Sequence, residues 1–539
     1  MASFSCLPNE LLALIMEDRA LSMVDLSNLT QTCKSLTHTA TSILYRRDIR
    51  ERQSSALIWA ARNNQISTIR TALDLGADVQ GVGLGEEDPD WIFTVIDQDD
   101  YCPGWEDREY GSPLHYAAMR GNDEIVALLI EHGAKLDAPS LNICRCVEHQ
   151  YLGLEGDRDS IQPRWFPLHH AICHRQLSTA DILFDSGAPL QMSYEAPDAM
   201  NLPPGPTVLH CAAAHGNHAL VRRVLETKPG CLQSEPSWDG NELHYATECW
   251  ESERVIDLLV AAGVDINHNY GGGTPIQRAC WMGNFAAAMH ILKAGANTPA
   301  SLLHLAVCPR LPPEKLDVPE LRESRLQEQL SFVRVLVEDC GYKVDQELTA
   351  THDYVRLRLS HYISATPLHV VMSQEWENPE SPPHLVKYLL EKGADPQHLF
   401  DRRLAMTSAF GCVLEDEYYE HNPQYKREIP TAWEVIRIFL HNGARIGYGG
   451  DDDVETPPIW IAFKSAFDDK PSKHALSLTA LLLEESLPGA LSGDTLEEIL
   501  EVLEGVTDET RLAGDADNVS KLNCVHGMIK DYMQRNPVH

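Results

Sequence analysis

The chain has 539 residues, with 44 Lys and Arg against 79 Asp and Glu, a formal net charge of −35. Gripping a phosphate backbone takes cations that displace counterions, and a surface this acidic repels DNA, RNA and anionic lipid, so neither nucleic acid nor membrane is an expected partner. Hydrophobic residues make up 43%, enough for a buried core, yet no run approaches the ~18 apolar residues of a membrane span.

The opening, MASFSCLPNELLALIM, has no positive charge ahead of its apolar stretch and is interrupted by Glu10, so it does not read as a secretory signal. The fourteen cysteines then read as reduced thiols in a cytoplasmic or nuclear protein. Leu11, Leu12, Leu14 and Ile15 give a first helix its apolar face. Ser22-x-x-Asp25 is a capping box for a second helix carrying Leu26, Leu29, Cys33 and Leu36. A third helix, Ala40 to Tyr45, is expected to end at Arg46-Arg47, cations suited to a helix C-terminus. Three short helices in about 45 residues cannot bury a full core alone, so this segment leans on a partner or on its neighbouring domain.

Leu7-Pro8-x-Glu10-Leu11-Leu12-x-x-Ile15, Asp25-Leu26-x-x-Leu29, Thr32-Cys33-Lys34-x-Leu36 and Leu44-Tyr45 together resemble an F-box of the fungal type. The resemblance implies docking on a Skp-family adaptor carried by a cullin–RING ubiquitin ligase. The residues it assigns to that contact are Leu7, Pro8, Leu11, Leu12, Ile15, Leu26 and Leu29. The competing reading is a helical cap that seals the first repeat of a solenoid.

From about residue 54 the chain repeats itself. TVLHCAAAHGNHALVRRVLE, NELHYATECWESERVIDLLVAAGVDIN and TPIQRACWMGNFAAAMHILKAGAN succeed one another with His210, His244 and Gln277 in register, 34 and 33 residues apart. Earlier copies start at Ala56, Ser112 and Phe166, later ones at Leu302 and Thr366, and the weakest lie near 405–444 and 456–485. Each copy reads as a short Ala-rich helix, a Gly-Asn turn, a second helix with apolar residues at helical spacing (Ile125, Leu128 and Leu129), and a Gly-Ala stop. These residues resemble the ankyrin repeat, T-P-L-H-x-A at a period of about 33. Thr366-Pro367-Leu368-His369 matches outright. The resemblance implies that His115, His169, His210, His244, His304 and His369 bond to the preceding hydroxyl and nearby backbone, while Ile58, Gln277 and Trp460 at the same position weaken their copies.

Uneven spacing marks insertions near 81–111, 138–165, 309–328, 343–363 and 412–430. Insertions in solenoids gather on one face, often the binding face. The first mixes acids with Trp91, Phe93, Tyr101, Trp105 and Tyr110, a candidate substrate-contact loop because aromatics dominate binding hot spots; the alternative is that they pack the loop onto its own repeat. No Gly-Lys dipeptide, H-E-x-x-H or G-x-S-x-G is present, so no enzyme is expected. Cys144-x-Cys146-x-x-His149 with His169, His170, Cys173 and His174 has zinc-ligand chemistry. His169 is already assigned to the repeat and Cys173 to its Ala-rich helix, so no metal or other cofactor is expected. After the last repeat, 476–485, 496–503 and 521–532 read as amphipathic helices capping the array.

The expected fold is all-α. A three-helix F-box (1–50) precedes an α-solenoid of about ten ankyrin repeats with irregular insertions (51–485) and a helical C-terminal cap (486–539). The expected function is the substrate-recognition subunit of a Skp–cullin–F-box ubiquitin ligase, the array holding a protein substrate. The alternative is an ankyrin scaffold or inhibitor without a ligase role.

Overall fold

A computed structural model of the chain describes residues 8–18, 20–32, 34–51, 54–81, 111–140, 143, 164–190, 193–194, 206–232, 240–269, 273–308, 319–348, 364–372, 383–400, 403–414, 428–447, 457–466, 472, 474–487, 490–491, 496–497, 499–505 and 516–536. The fold is an all-α solenoid, in two compact units, residues 1–270 and 271–539.

The first unit opens with α1 (Asn9–Met16), α2 (Met23–Thr30) and α3 (Lys34–Glu51). Leu12, Met16, Leu26, Leu36, Ala40 and Ile43 form their shared core, with Leu21, Leu29 and Leu44 packed at its edge. The third helix is longer than the sequence pattern suggests, because its polar residues near the end are used internally. Arg47 does not stop the helix. Its guanidinium is buried and donates to the carbonyls of Leu21, Met16 (3.4 Å), Glu17 (3.3 Å) and Asp18 (3.2 Å), the orphan carbonyls where α1 ends and the chain turns. Asp48, also buried, points to the next element: its carboxylate accepts from Ser55 Oγ (2.5 Å) and from the Ala56 N–H (3.0 Å), capping helix Ser55–Arg62.

Helix pairs come next: Ser55–Arg62 with Ile66–Asp74, Pro113–Arg120 with Asp123–Glu131, Pro167–Cys173 with Leu177–Asp185, Val208–Ala214 with His218–Thr227, and Glu242–Ala246 with Glu253–Ala261. Buried alanines such as Ala60, Ala117, Ala171 and Ala212 let successive first helices lie close. Second helices end on glycines that need positive φ, as at Gly133 (φ 85°), where the Ala134 N–H closes on Leu129 O at 2.9 Å. The unit also holds a two-stranded antiparallel ladder, Arg164–Trp165 against Ser193–Tyr194, which the helical reading of the sequence did not contain.

The second unit continues in the same way: Pro275–Trp281 with Phe285–Lys293, Leu302–Val307 with Pro319–Glu338, Pro367–Met372 with Pro383–Glu391, Ser408–Leu414 with Glu428–His441, and Pro458–Lys464 with Ala475–Glu485. A second small ladder joins Leu399–Phe400 to Arg403–Leu404. The described residues thus hold ten helix pairs in all. Pro319–Glu338 starts inside the expected 309–328 insertion, so part of that insertion is an extended second helix. Likewise Ser408–Leu414 and Glu428–His441 run into the expected 412–430 insertion from both sides. Ala516–Arg535 packs on Ala475–Glu485, with Leu522, Val525, Ile529 and Tyr532 buried.

The start of five of the ten described first helices carries the polar device that organises the stack. The Ser112 N–H donates to His115 Nδ1 (3.0 Å), Ser112 Oγ lies 2.9 Å from the same nitrogen, and His115 Nε2 lies 2.9 Å from Ala138 O. Nδ1 is therefore an acceptor and Nε2–H a donor, which fixes a neutral tautomer. Thr207 and His210, Asn241 and His244, and Thr366 and His369 repeat the pairing. Gln277 does the same job rather than weakening its copy. Its Oε1 accepts from the Thr274 N–H (2.9 Å) and hydroxyl (3.1 Å), and its Nε2 donates to Ser301 Oγ (2.9 Å). The Phe166 copy departs from this pattern. With no hydroxyl at the cap, neither ring nitrogen of His169 has a hydrogen-bond partner among the described residues, and the ring stacks on Trp165 at 4.0 Å.

Burial holds these imidazoles neutral. It lowers the pKa of His115 to about 4, that of His210 to about 3 and that of His304 to about 4, from an ordinary 6.5, with backbone hydrogen bonds offsetting part of the effect. Below pH 6.5 the unfolded chain binds protons that the folded chain refuses, so stability is full above 6.5 and falls as the pH drops toward 4. The thermal midpoint is expected to decline across that window. His115→Gln, which keeps the bonds that Gln277 already makes elsewhere, should stay folded and remove about 1.4 kcal/mol per pH unit from the slope; an unchanged slope would contradict this account. Arg47→Met should destabilise α1 and α2 by about 3 kcal/mol, because charge-assisted bonds to several carbonyls are lost. Hydrogen exchange of residues 9–30 should rise while the repeats keep their protection, and Arg47→Lys should not restore it, since an ammonium lacks the planar fork.

Candidate protein-docking site

Helix α1 is apolar on two sides, and only one is spent on folding. Leu12 (1% exposed) and Met16 face the core with Leu26 (0%) of α2. Leu11 (47%), Leu14 (65%) and Ile15 (41%) sit at i, i+3 and i+4 on the outer side, with Pro8 exposed one turn earlier. Val24 on α2 is exposed as well, at 67%. These account for four of the eight large hydrophobic side chains that stand exposed among the described residues, Leu11, Leu14, Ile15 and Val24, in a span of fourteen residues. An outward apolar cluster of this kind marks a surface waiting to be covered.

The backbone beneath it is firmly set. Ser22 Oγ accepts from the Asp25 N–H (3.1 Å) and Asp25 Oδ2 accepts from the Ser22 N–H (2.8 Å) and hydroxyl (2.7 Å), so the capping box starts α2 as the sequence predicts. The Ser22 hydroxyl, then its backbone N–H, hold the Asp25 carboxyl below its usual pKa. Arg47 ties the end of α1 to α3, and α3 packs on the first repeat helix.

The seven residues assigned to adaptor contact therefore divide. Pro8, Leu11 and Ile15 are exposed; Leu12 and Leu26 are core; Leu29 is half-buried against that core; Leu7 lies outside the described residues. A fully buried side chain shapes the helix pair but presents no surface, so Leu12 and Leu26 act through packing. Leu14 and Val24 join the outer face instead, and the i+3 spacing of Leu14 from Leu11 is the signal that could have placed it there. Trp91, Phe93, Tyr101, Trp105 and Tyr110 lie outside the described residues, as do Cys144, Cys146 and His149. Among the described residues no group of three or more His, Cys, Asp or Glu is placed to hold a metal ion, and no helix is long and apolar enough to cross a membrane. Seven described cysteines form no disulfide, but Cys173 is disulfide-bonded, against the expectation of reduced thiols throughout.

Two stretches of the repeats match known families. Residues 94–194 match the family model described as ankyrin repeats (3 copies), and residues 243–289 match that described as ankyrin repeats (many copies). The crystal structure of the human ASB11 ankyrin repeat domain is similar over 50% of this chain and 96% of that one, at 17% identity and a TM-score of 0.31. No curated protein matches the chain. The helix pairs, and the two family matches that fall on some of them, show that the chain carries ankyrin repeats over residues 94–194 and 243–289.

Proposed function

We propose that the chain is the substrate-recognition subunit of a Skp–cullin–F-box ubiquitin ligase, in which α1 and α2 dock a Skp-family adaptor and the ankyrin array holds a protein substrate. The observation that carries the reading is the outward apolar face of α1 on a three-helix unit joined to the array by Arg47 and Asp48. The adaptor contact comprises Pro8, Leu11, Leu14, Ile15 and Val24, with Leu7 preceding them, while Leu12, Leu26 and Leu29 keep the helices in place. The chain supplies no catalytic group in this scheme. Tethering raises the effective concentration of substrate lysines beside the charged ubiquitin-conjugating enzyme.

A second reading, a solenoid cap with no ligase role, draws on Asp48. The same carboxylate that ends the N-terminal unit caps the first repeat helix, and terminal repeats need such sealing. Point variants separate the two. Pull-down by a Skp-family adaptor should recover the full chain and not one lacking residues 1–50. Leu11→Asp, at an exposed position, should abolish recovery with an unchanged melting curve. Capture of Leu11→Asp at wild-type level, or capture of neither the full chain nor the truncation, would sink the ligase reading. A lowered melting temperature in Leu11→Asp would favour the cap.

A further inference from the structure

In the first unit, four successive first helices end in basic residues: Arg62, Arg120, His174 with Arg175, and His215. The first four are exposed and His215 is half-buried. Two side-chain bonds keep neighbouring turns in register. Asn122 Nδ2 donates to Ala61 O (2.7 Å), the carbonyl just before Arg62, and Gln176 Nε2 donates to Met119 O (3.5 Å), the carbonyl just before Arg120. The Arg62 guanidinium lies over the Tyr116 ring of the next pair at 4.0 Å.

These basic groups are close enough to feel each other. Burial lowers the pKa of His174 and Arg120 lowers it further; burial likewise lowers His215, a backbone bond to Cys211 offsets part, and Arg175 and His174 add to the fall. Among the described residues neither Arg120 nor Arg175 forms a salt bridge. Asp123, the acid nearest Arg120 in sequence, is directed across to the next pair, where its two carboxylate oxygens accept the hydroxyls of Ser178 and Thr179. Exposed apolar side chains flank the row: Trp59 (57%) one turn before Arg62, and Leu177 (54%) two residues after Arg175. At the fifth pair the row stops, where the turn carries exposed Glu251.

We propose that this row, Arg62, Arg120 and Arg175 with Trp59 and Leu177, docks an acidic protein segment that carries large apolar side chains. The inference rests on the repeats being a protein-binding scaffold and is independent of adaptor docking on α1. Like charges lined up along one edge repel, and a bound anionic segment relieves that repulsion. Packed helices lie about 8–10 Å apart and an extended chain advances about 3.3 Å per residue, so one acid at every third residue matches the row. A short segment is favoured over nucleic acid because a long polyanion would also meet the rest of a surface whose net charge is −35.

The test uses the full chain and a synthetic peptide with Asp or Glu at every third position and Leu or Phe between, read by fluorescence anisotropy. A peptide with the acids replaced by Gln, one with Lys in their place, and a short single-stranded oligonucleotide serve as comparisons. The acidic peptide should bind, more weakly as salt rises. The double variant Arg120→Gln with Arg175→Gln should lose about tenfold or more in affinity, whereas Arg120→Lys with Arg175→Lys should keep most of it. Trp59→Ser should also weaken binding. Circular dichroism melts and adaptor pull-down of the same variants should match the wild type, which separates loss of this site from loss of fold or of adaptor docking. No binding by the wild type, equal binding by the Gln double variant, or equal binding of the Gln- or Lys-containing peptides would overturn the proposal. Preferential binding of the oligonucleotide, lost in the Gln double variant, would overturn it in favour of a nucleic-acid site.

Discussion

The array hangs on a neutral polar group buried three residues inside the first helix of five of its ten described pairs, and bonded on both sides at His115 and Gln277. On one side it accepts from the cap residue's N–H and hydroxyl; on the other it donates onward along the stack, to Ala138 O from His115 and to Ser301 Oγ from Gln277. The chemistry asked of that position is an acceptor and a donor, both without charge, a fixed distance apart. Imidazole and carboxamide both meet it. A charged group would not, because the surroundings are close-packed alanine and leucine that offer no solvation. This is why the seam tolerates Gln277 and why His115, His210 and His304 in it resist protonation.

Where that device is incomplete the fold finds a different solution. Phe166 offers no hydroxyl, and His169 turns to aromatic stacking on Trp165 instead. Its neighbour His170 takes over part of the polar work, with Nε2 2.8 Å from Ser140 Oγ, which itself donates to Trp165 O. The residues that open and close the second insertion, Ser140 and Trp165, are thereby pinned to one another and to the helix.

Much of this is legible in the sequence because it is written in local patterns. The cap motif, the Gly-Asn turn and the Gly-Ala stop each depend on residues within a few positions of one another, so Ser112 to His115 or Gly133 to Ala134 can be read straight from the chain. The capping box at Ser22 and Asp25 is of the same kind. What cannot be read depends on contacts distant in sequence. Arg46-Arg47 looks like the end of a helix, but Arg47 meets carbonyls 26 to 31 residues earlier. The apolar residues of α1 are legible as a helix face; which of them faces inward is not, because Leu11 and Leu12 differ only in where α2 and α3 come to rest. The cationic row is hidden for a related reason. Its members lie more than fifty residues apart along much of their span, and only the stacking of turns puts them side by side.

Arg47 and Asp48 are consecutive on one helix and reach in different directions, one into the turn after α1 and the other into the start of the first repeat. A linker of ordinary loop residues would let the N-terminal unit sample a wide cone of orientations. Here a single peptide bond separates the two anchors, and the hinge is replaced by a splint. Anything seated on the outer face of α1 then inherits a set heading relative to the first repeats. The difference between a tether and a bracket is thus decided by two adjacent side chains.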